Sequence, residues 1–154
     1  MVNNRENMNI LTKFGYPDSF IFGDEYWSVL LRPAQVTIGS LVLISNSKIT
    51  SIGKLSEYQI KTLPNICGIC EKVLEAELGA VKFNYLALMM VDPIVHFHVI
   101  PRYNKSVIFE NILYEDPYWP APPNISHKLK ITDFAYENLR EKLSKKADEL
   151  SKAS

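Results

Sequence analysis

The chain has little cysteine, no net charge and no long apolar run. Its only two cysteines in 154 residues are Cys67 and Cys70, too few for a disulfide scaffold, which points to a reducing compartment. Lys+Arg and Asp+Glu both number 17, so the formal net charge is zero. That removes the basic stripe with which proteins grip duplex nucleic acid. It leaves room for a nucleotide, because a few well-placed donors bind one phosphate. No apolar run reaches the roughly 18 residues of a bilayer span, and MVNNRENMN at the start lacks the apolar stretch of a signal peptide. A cytoplasmic protein is expected, with neither a membrane nor a nucleic-acid polymer as partner. Internal repeats are also absent.

What is present is an ordinary globular composition, 47% hydrophobic, at a length that fits one domain. Residues 1–12 are polar and expected to be loosely ordered. Tyr26 to Arg32 (YWSVLLR) and Ile38 to Ser45 (IGSLVLIS) read as strands, joined by the loop PAQVT. Ser56 opens a helix with Gln59 as its capping-box partner. Leu63, Ile66, Cys70, Val73 and Leu74 form its buried stripe, and Gly79 is its stop. Pro64 either kinks this helix or marks a new start near Thr62. The CxxC at Cys67 and Cys70 falls inside the stripe and reads as structural, because a redox pair follows a strand and opens a helix.

Phe83 to Met90 and Ile94 to Arg102 read as two more strands around the turn Val91-Asp92-Pro93. Val107 to Pro123 is aromatic and proline-rich and predicts an ordered but irregular segment. Thr132 or Asp133 caps a last helix running to about Leu150. Tyr136, Leu139, Leu143, Ala147 and Leu150 form its apolar stripe. Strands, helix, strands and helix in that order predict an α+β fold with an antiparallel sheet.

The segment DPIVHFHVIPRY is the most informative. Residues two apart on a strand share a face, so Ile94, His96, His98 and Ile100 point one way, and Val95, Phe97 and Val99 point toward the core. Two of the three histidines in the chain thus sit side by side. They could be polar residues on a solvated face. They could be two metal ligands, which need a third from Asp92 or His127. They could also be a nucleophile and its helper. A neutral imidazole is a good nucleophile near pH 7, with a reference pKa of about 6.5. A second imidazole beside it can steady developing charge or protonate a leaving oxygen. That chemistry requires no metal and no cofactor.

HFHVIPR resembles the signature of histidine-triad (HIT) proteins, in which three histidines alternate with hydrophobic residues and Pro-Arg often follows. RPAQVTIGSLVLIS resembles the proline-containing loop, glycine and strand one helix upstream. YWPAPP resembles a Trp-Pro-Pro segment found after the signature in some members. The similarity runs from about Phe14 to Pro123, and within the family it is to hydrolases of the diadenosine polyphosphate type.

The resemblance implies an α+β fold with an antiparallel five-stranded sheet, a main helix and a C-terminal helix. The HIT-like domain would span 13–125, with 126–154 as a C-terminal helical extension. It implies a homodimer, which the last helix also suggests if a small domain leaves its stripe partly uncovered. It implies a nucleotide substrate (an ester, anhydride or phosphoramidate) attacked at its α-phosphorus by His96 to give a nucleotidyl-histidine, with His98 assisting the leaving group. Arg32, Ser40, Arg102 and Trp119 fall where substrate contacts are expected. Trp119 is either a packed aromatic or a lid over a base.

The pattern departs from the family at three places. The first triad position is Ile94, the position after the strand glycine is Ser40 where histidine is usual, and the loop before the signature lacks the family's glycines and polar residue. Either another phosphate clamp serves, such as Arg102 or YWPAPP, or the chain is a weakened or non-catalytic nucleotide-binding or scaffold protein. The main-chain carbonyl of Ile94, which the resemblance places behind the His96 ring, survives the side-chain change.

Overall fold

The computed structural model describes residues 5–153, with side chains from Asn9 onward. A helix α1 (Arg5–Lys13) is followed by strands β1 (Phe20–Gly23), β2 (Trp27–Leu31) and β3 (Leu41–Ser45). Then come helix α2 (Glu57–Leu78), β4 (Lys82–Leu86), β5 (His96–Arg102), β6 (Val107–Phe109), β7 (Ile112–Tyr114) and helix α3 (Asp133–Ala153). Five strands form one sheet in the order β1-β2-β3-β5-β4, every neighbouring pair antiparallel. The expected α+β architecture, with its five-stranded sheet, main helix and C-terminal helix, is the one observed. No helix among the described residues is long and apolar enough to cross a membrane.

All residues of β2 and β3 are buried, because both faces of the sheet are covered. On one face Trp27, Val29, Leu31, Leu41, Leu43 and Val99 pack under α2 and α3. On the other, Ile10, Leu11 and Phe14 from α1 and the turn after it pack on Leu30, Val42, Ile44 and Ile94. The alternation of side chains along each strand assigns each set to its face.

The start of α2 is tied to the sheet through one side chain. Ser56 Oγ accepts from the Gln59 amide at 3.1 Å, and Gln59 Oε1 accepts from the Ser56 amide at 3.1 Å, completing the expected capping box. Gln59 Nε2 then donates to Ser45 Oγ at 2.8 Å, and the Trp27 indole N–H donates to the Gln59 carbonyl at 3.0 Å. Further along, α2 comes close to Gly39, whose φ is +88°. A Cβ there would lie 2.7 Å from Leu78 Cδ1 and 2.8 Å from Leu74 Cδ2. The helix ends at Gly79 in the left-handed region, as expected. It runs unbroken through Pro64, with no second start near Thr62. The proline leaves the Ile60 carbonyl without its helical donor, on a residue that is 56% exposed and open to solvent.

Several expectations are corrected. Residues 9–12, expected to be loosely ordered, lie in α1, where Ile10 and Leu11 are buried; residues 1–4 lie outside the described residues. The strand expected over 83–90 stops at Leu86, and the one expected from Ile94 begins at His96. The connection is therefore longer than three residues, with Met89 at φ +45°. The strand expected from Ile38 begins at Leu41, because the Ser40 amide closes a turn on the Thr37 carbonyl. Strand β1 was not anticipated. Neither was the β6–β7 hairpin, which Glu110 and Asn111 turn with φ of +50° and +61°, the conformation a tight hairpin favours.

In α3, Thr132 is the cap, accepting from the Ala135 amide at 3.1 Å. Ala135, Leu139, Leu143 and Ala147 are wholly buried in the same core as α2. The stripe on α3 is thus consumed within the chain and offers no argument for a dimer.

Candidate active site

The histidine strand β5 lies between β3 and β4, with Ile44 opposite His96 and Val42 opposite His98. This register places both imidazoles on the face covered by α1. His96 is 3% and His98 6% exposed, and their ring centroids are 5.2 Å apart at 82°. Phe14 flanks both, at 6.0 Å from His96 and edge-on at 5.8 Å from His98.

The two rings are held in opposite tautomers. His96 Nδ1 lies 2.7 Å from the Ile94 carbonyl oxygen. A carbonyl only accepts, so Nδ1 carries the hydrogen and Nε2 carries the lone pair. Arg32 Nε lies 3.3 Å from His98 Nδ1. A guanidinium only donates, so His98 Nδ1 is the acceptor and its Nε2 carries the hydrogen. One ring thus offers a nucleophilic nitrogen and the other a hydrogen-bond donor. Neither Nε2 has a protein partner among the described residues. The only fully buried side-chain polar atom without a partner among them is the Tyr114 hydroxyl, so both Nε2 atoms reach the surface.

Burial pushes the His98 pKa down to about 4, reinforced by the positive charge of Arg32, by His96 and by Lys13, and opposed by Asp92. Lys13 and Asp92 form a 2.7 Å ion pair at the rim, joining α1 to the loop before β5. Ile94, where the resemblance expects a histidine, is 2% exposed and packs in the apolar cluster with Ile10, Leu11 and Val42.

The remaining positions with expected substrate contacts separate clearly. Arg32 stands at the histidine pair, with Nη1 on the Ala34 carbonyl. Ser40 does not reach it. Ser40 is wholly buried, accepts from the Thr37 amide at 3.0 Å and donates to the Thr37 carbonyl at 2.7 Å, so its hydroxyl shapes the PAQVTIGS turn. Arg102 is held in a buried anchor. Its Nε donates to Asp116 Oδ2 at 2.6 Å, Nη1 to Asn84 at 2.9 Å, and Nη2 to Asp116 Oδ1 at 3.2 Å and the Ala121 carbonyl at 2.8 Å. The Arg102 and Asp116 side chains are 4% and 1% exposed. Trp119 lies over the Arg102 guanidinium at 6.0 Å, as a packed aromatic of this anchor. His127 stands edge-on to Tyr118 at 5.7 Å. Among the described residues no group of three His, Cys, Asp or Glu is placed to hold a metal.

Sequence reasoning missed Phe14, Lys13 and Asp116. Phe14 stands in a segment read as the domain's edge, and only its place in the fold brings it to the histidines. Asp116 carried no distinct signal, being one of three carboxylates in the aromatic loop with Glu110 and Glu115.

No family model and no curated protein matches the chain. Solved structures do match, at high coverage. A histidine triad protein from Marinobacter aquaeolei VT8 superposes with a TM-score of 0.68 at 23% identity, over 92% of this chain and 95% of that one. A histidine triad (HIT) protein from Sinorhizobium meliloti 1021 gives 0.69 at 18%, over 90% and 93%. The Plasmodium falciparum diadenosine triphosphate hydrolase gives 0.58 at 12%, over 96% and 97%. The chain has the histidine-triad fold. His96 and His98 stand on β5 of that fold, and Ile94 lies just before it.

Two predictions follow from the geometry. Arg102→Met leaves Asp116 buried without its counter-charge and should cost about 3–5 kcal/mol of stability, as breaking a buried pair does. Adding Asp116→Leu should recover part of it, measured by denaturant unfolding of the single and double variants. The second prediction concerns pH. Between the ordinary value of about 6.5 and the folded value of about 4, the unfolded chain binds a proton at His98 that the folded chain does not. This contribution is complete above about pH 6.5 and is lost as pH falls toward 4. The drop in thermal midpoint between pH 7.5 and 4.5 should be smaller in His98→Gln than in the wild type.

Proposed function

We propose that this chain is a nucleotide hydrolase or transferase that works through covalent catalysis at His96. The observation that carries the reading is the pair of opposed tautomers on one face. His96 Nε2 is the free lone pair, its Nδ1–H held on the Ile94 carbonyl, and the neighbouring His98 presents Nε2–H. The nucleophile attacks the α-phosphorus of a nucleotide, forming an N–P bond as the bond to the leaving group breaks. The Nδ1–H bond to Ile94 steadies the imidazolium character that develops on His96. His98 donates from Nε2 to the charge at the reacting phosphoryl group, and Arg32 supplies positive charge beside it. Phe14 provides an apolar wall at the pair. Water or another acceptor then takes the nucleotidyl group and restores His96.

The packing of Ile94 into the apolar cluster favours a second reading, a nucleotide-binding protein of the same fold whose turnover is weak. Incubation with an adenylyl donor, followed by mass analysis of the peptide containing His96, separates the two. An adenylyl adduct on His96 supports the enzyme, and binding without an adduct or turnover supports the second reading.

His96→Ala should abolish turnover, while His98→Ala should retain a small remainder, about 10²–10⁴ below the wild type, the usual scale of a positioned acid–base or donor group. Full activity in His96→Ala sinks the assignment. In the same reading the protein is cytoplasmic and a homodimer. With the stripe on α3 spent internally, the surface proposed for pairing is the outer edge of β4, one of the two edge strands, whose Tyr85 is 36% exposed. Light scattering at micromolar concentration should give twice the chain mass, and a monomer would remove this part of the proposal.

A further inference from the structure

We infer that Arg32 restricts this site to phosphoanhydride substrates, by holding His98 in the tautomer that can stabilise a leaving group but cannot protonate one. The inference rests on the proposed attack by His96 and adds the class of bond that is broken.

Proton supply separates the two kinds of leaving group. When His96 Nε2 forms the N–P bond, the electron pair of the bond being broken passes to the leaving atom. A phosphate or nucleotide leaving group departs as a stable anion, since its second ionisation lies at about 6. It needs a hydrogen bond and no proton. An amine leaving a phosphoramidate, or an alkoxide leaving an ester, must take a proton as it departs. The site has few protons to offer. The Nδ1–H of His96 is held on the Ile94 carbonyl and stays on the ring when the adduct forms. His98 in its neutral form has only the Nε2–H, and giving that up would leave an imidazolate. To act as an acid, His98 must first gain a proton at Nδ1, where Arg32 Nε already donates at 3.3 Å.

Protonation would set two N–H groups against each other and place an imidazolium beside a guanidinium. The other titratable groups facing His98 are His96 on its own strand, Lys13 from α1 and Asp92 from the loop before β5. Asp92 is the one group that favours the cation, and it is paired with Lys13 at 2.7 Å. Burial and Arg32 prevail, and the site holds His98 neutral at physiological pH. An incoming phosphate dianion favours the imidazolium, but the Arg32 hydrogen bond must still break before Nδ1 can receive a proton. Arg32 is therefore a positioning residue that sets leaving-group specificity through His98.

The test uses two substrates with the same adenylyl group, so that only the leaving group differs. These are diadenosine triphosphate and an adenosine 5′-phosphoramidate of a primary amine. The full chain at pH 7.5 should hydrolyse the anhydride at least about a hundredfold faster, the low end of what a positioned acid contributes. In Arg32→Met the ratio should fall by about tenfold or more, because His98 regains access to its acid form. Nitrogen-15 NMR of the imidazoles supplies a readout that a merely structural role would not move. The wild type should show His98 with an acceptor Nδ1 and a protonated Nε2, and Arg32→Met should raise its titration midpoint toward the ordinary value. The wild-type ratio and the wild-type tautomer need no variant to fold. Equal turnover of the two substrates, or a His98 protonated at Nδ1, overturns the inference while the reading of His96 as nucleophile stands. An unchanged ratio in a folded Arg32→Met also overturns it. If neither substrate adenylylates His96, the proposed function fails and the inference falls with it.

Discussion

The register of β5 against β3 is the constraint on which the site depends. With Val42 opposite His98 and Ile44 opposite His96, the imidazoles meet α1, and Phe97 and Val99 meet the larger core. A slip of one residue would reverse every side chain. Two imidazoles would then enter a region of Trp27, Leu41 and Leu43 that offers them no partners, and Phe97 would lose its place beside Trp27, 6.2 Å away. The entry to the strand is fixed from the main chain as well. The Ser45 amide donates to the Val95 carbonyl at 3.0 Å, and the Val95 amide donates to the Ile49 carbonyl at 2.9 Å. With Val95 held on both sides, the preceding carbonyl of Ile94 has one direction left, and it is the direction of the His96 ring. Sheet packing thus settles the tautomer of a side chain.

The features legible in the sequence were those whose cause is local. The capping box of α2, its glycine stop, the cap of α3 and the sidedness of His96 and His98 each depend on residues within a few positions of one another, and each appears as expected. The carbonyl behind His96 was also readable, because it belongs to the residue two positions earlier. What escaped was set by distant partners. Arg102 follows a proline in the signature and reads as a phosphate ligand until Asp116 and Asn84 arrive from other segments to take its donors. Ser40 reads as a substrate contact until the turn closes around it. Helix α1 is polar enough to pass for a loose end, and only the apolar patch of Leu30, Val42 and Ile44 gives Ile10 and Leu11 a reason to fold onto the sheet. The strand boundaries erred at the loop between β4 and β5, where apolar Leu88 and Met90 look like strand yet stand 47% and 84% exposed.

The isoleucine at position 94, where the resemblance expects a histidine, has a packing explanation in this chain. Ile94 belongs to an apolar floor under the imidazoles, built jointly by α1 and the sheet. An imidazole at that position would be buried among aliphatic side chains with no fixed acceptor beside it, an arrangement that costs rather than stabilises. The fixed partner of His96 is the main-chain carbonyl of Ile94, and Arg32 holds its neighbour His98. Two of the three departures from the histidine-triad pattern, at Ile94 and Ser40, are therefore accommodated within well-packed surroundings.

The anchor of Arg102 bears on how ligands meet this surface. The segment around Asp116 to Ala121 is tied to Arg102 of β5 by a buried ion pair and the Ala121 carbonyl, and Arg102 in turn donates to Asn84 of β4. Its shape does not wait for a visitor. Fixing a backbone residue from a mobile state costs about 1–2 kcal/mol in entropy, and here that cost is met during folding and not at the moment of contact. A molecule that touches this loop meets a segment already tied to the sheet. Its affinity then reflects its fit alone, and a poorly fitting one gains nothing from the loop adapting around it.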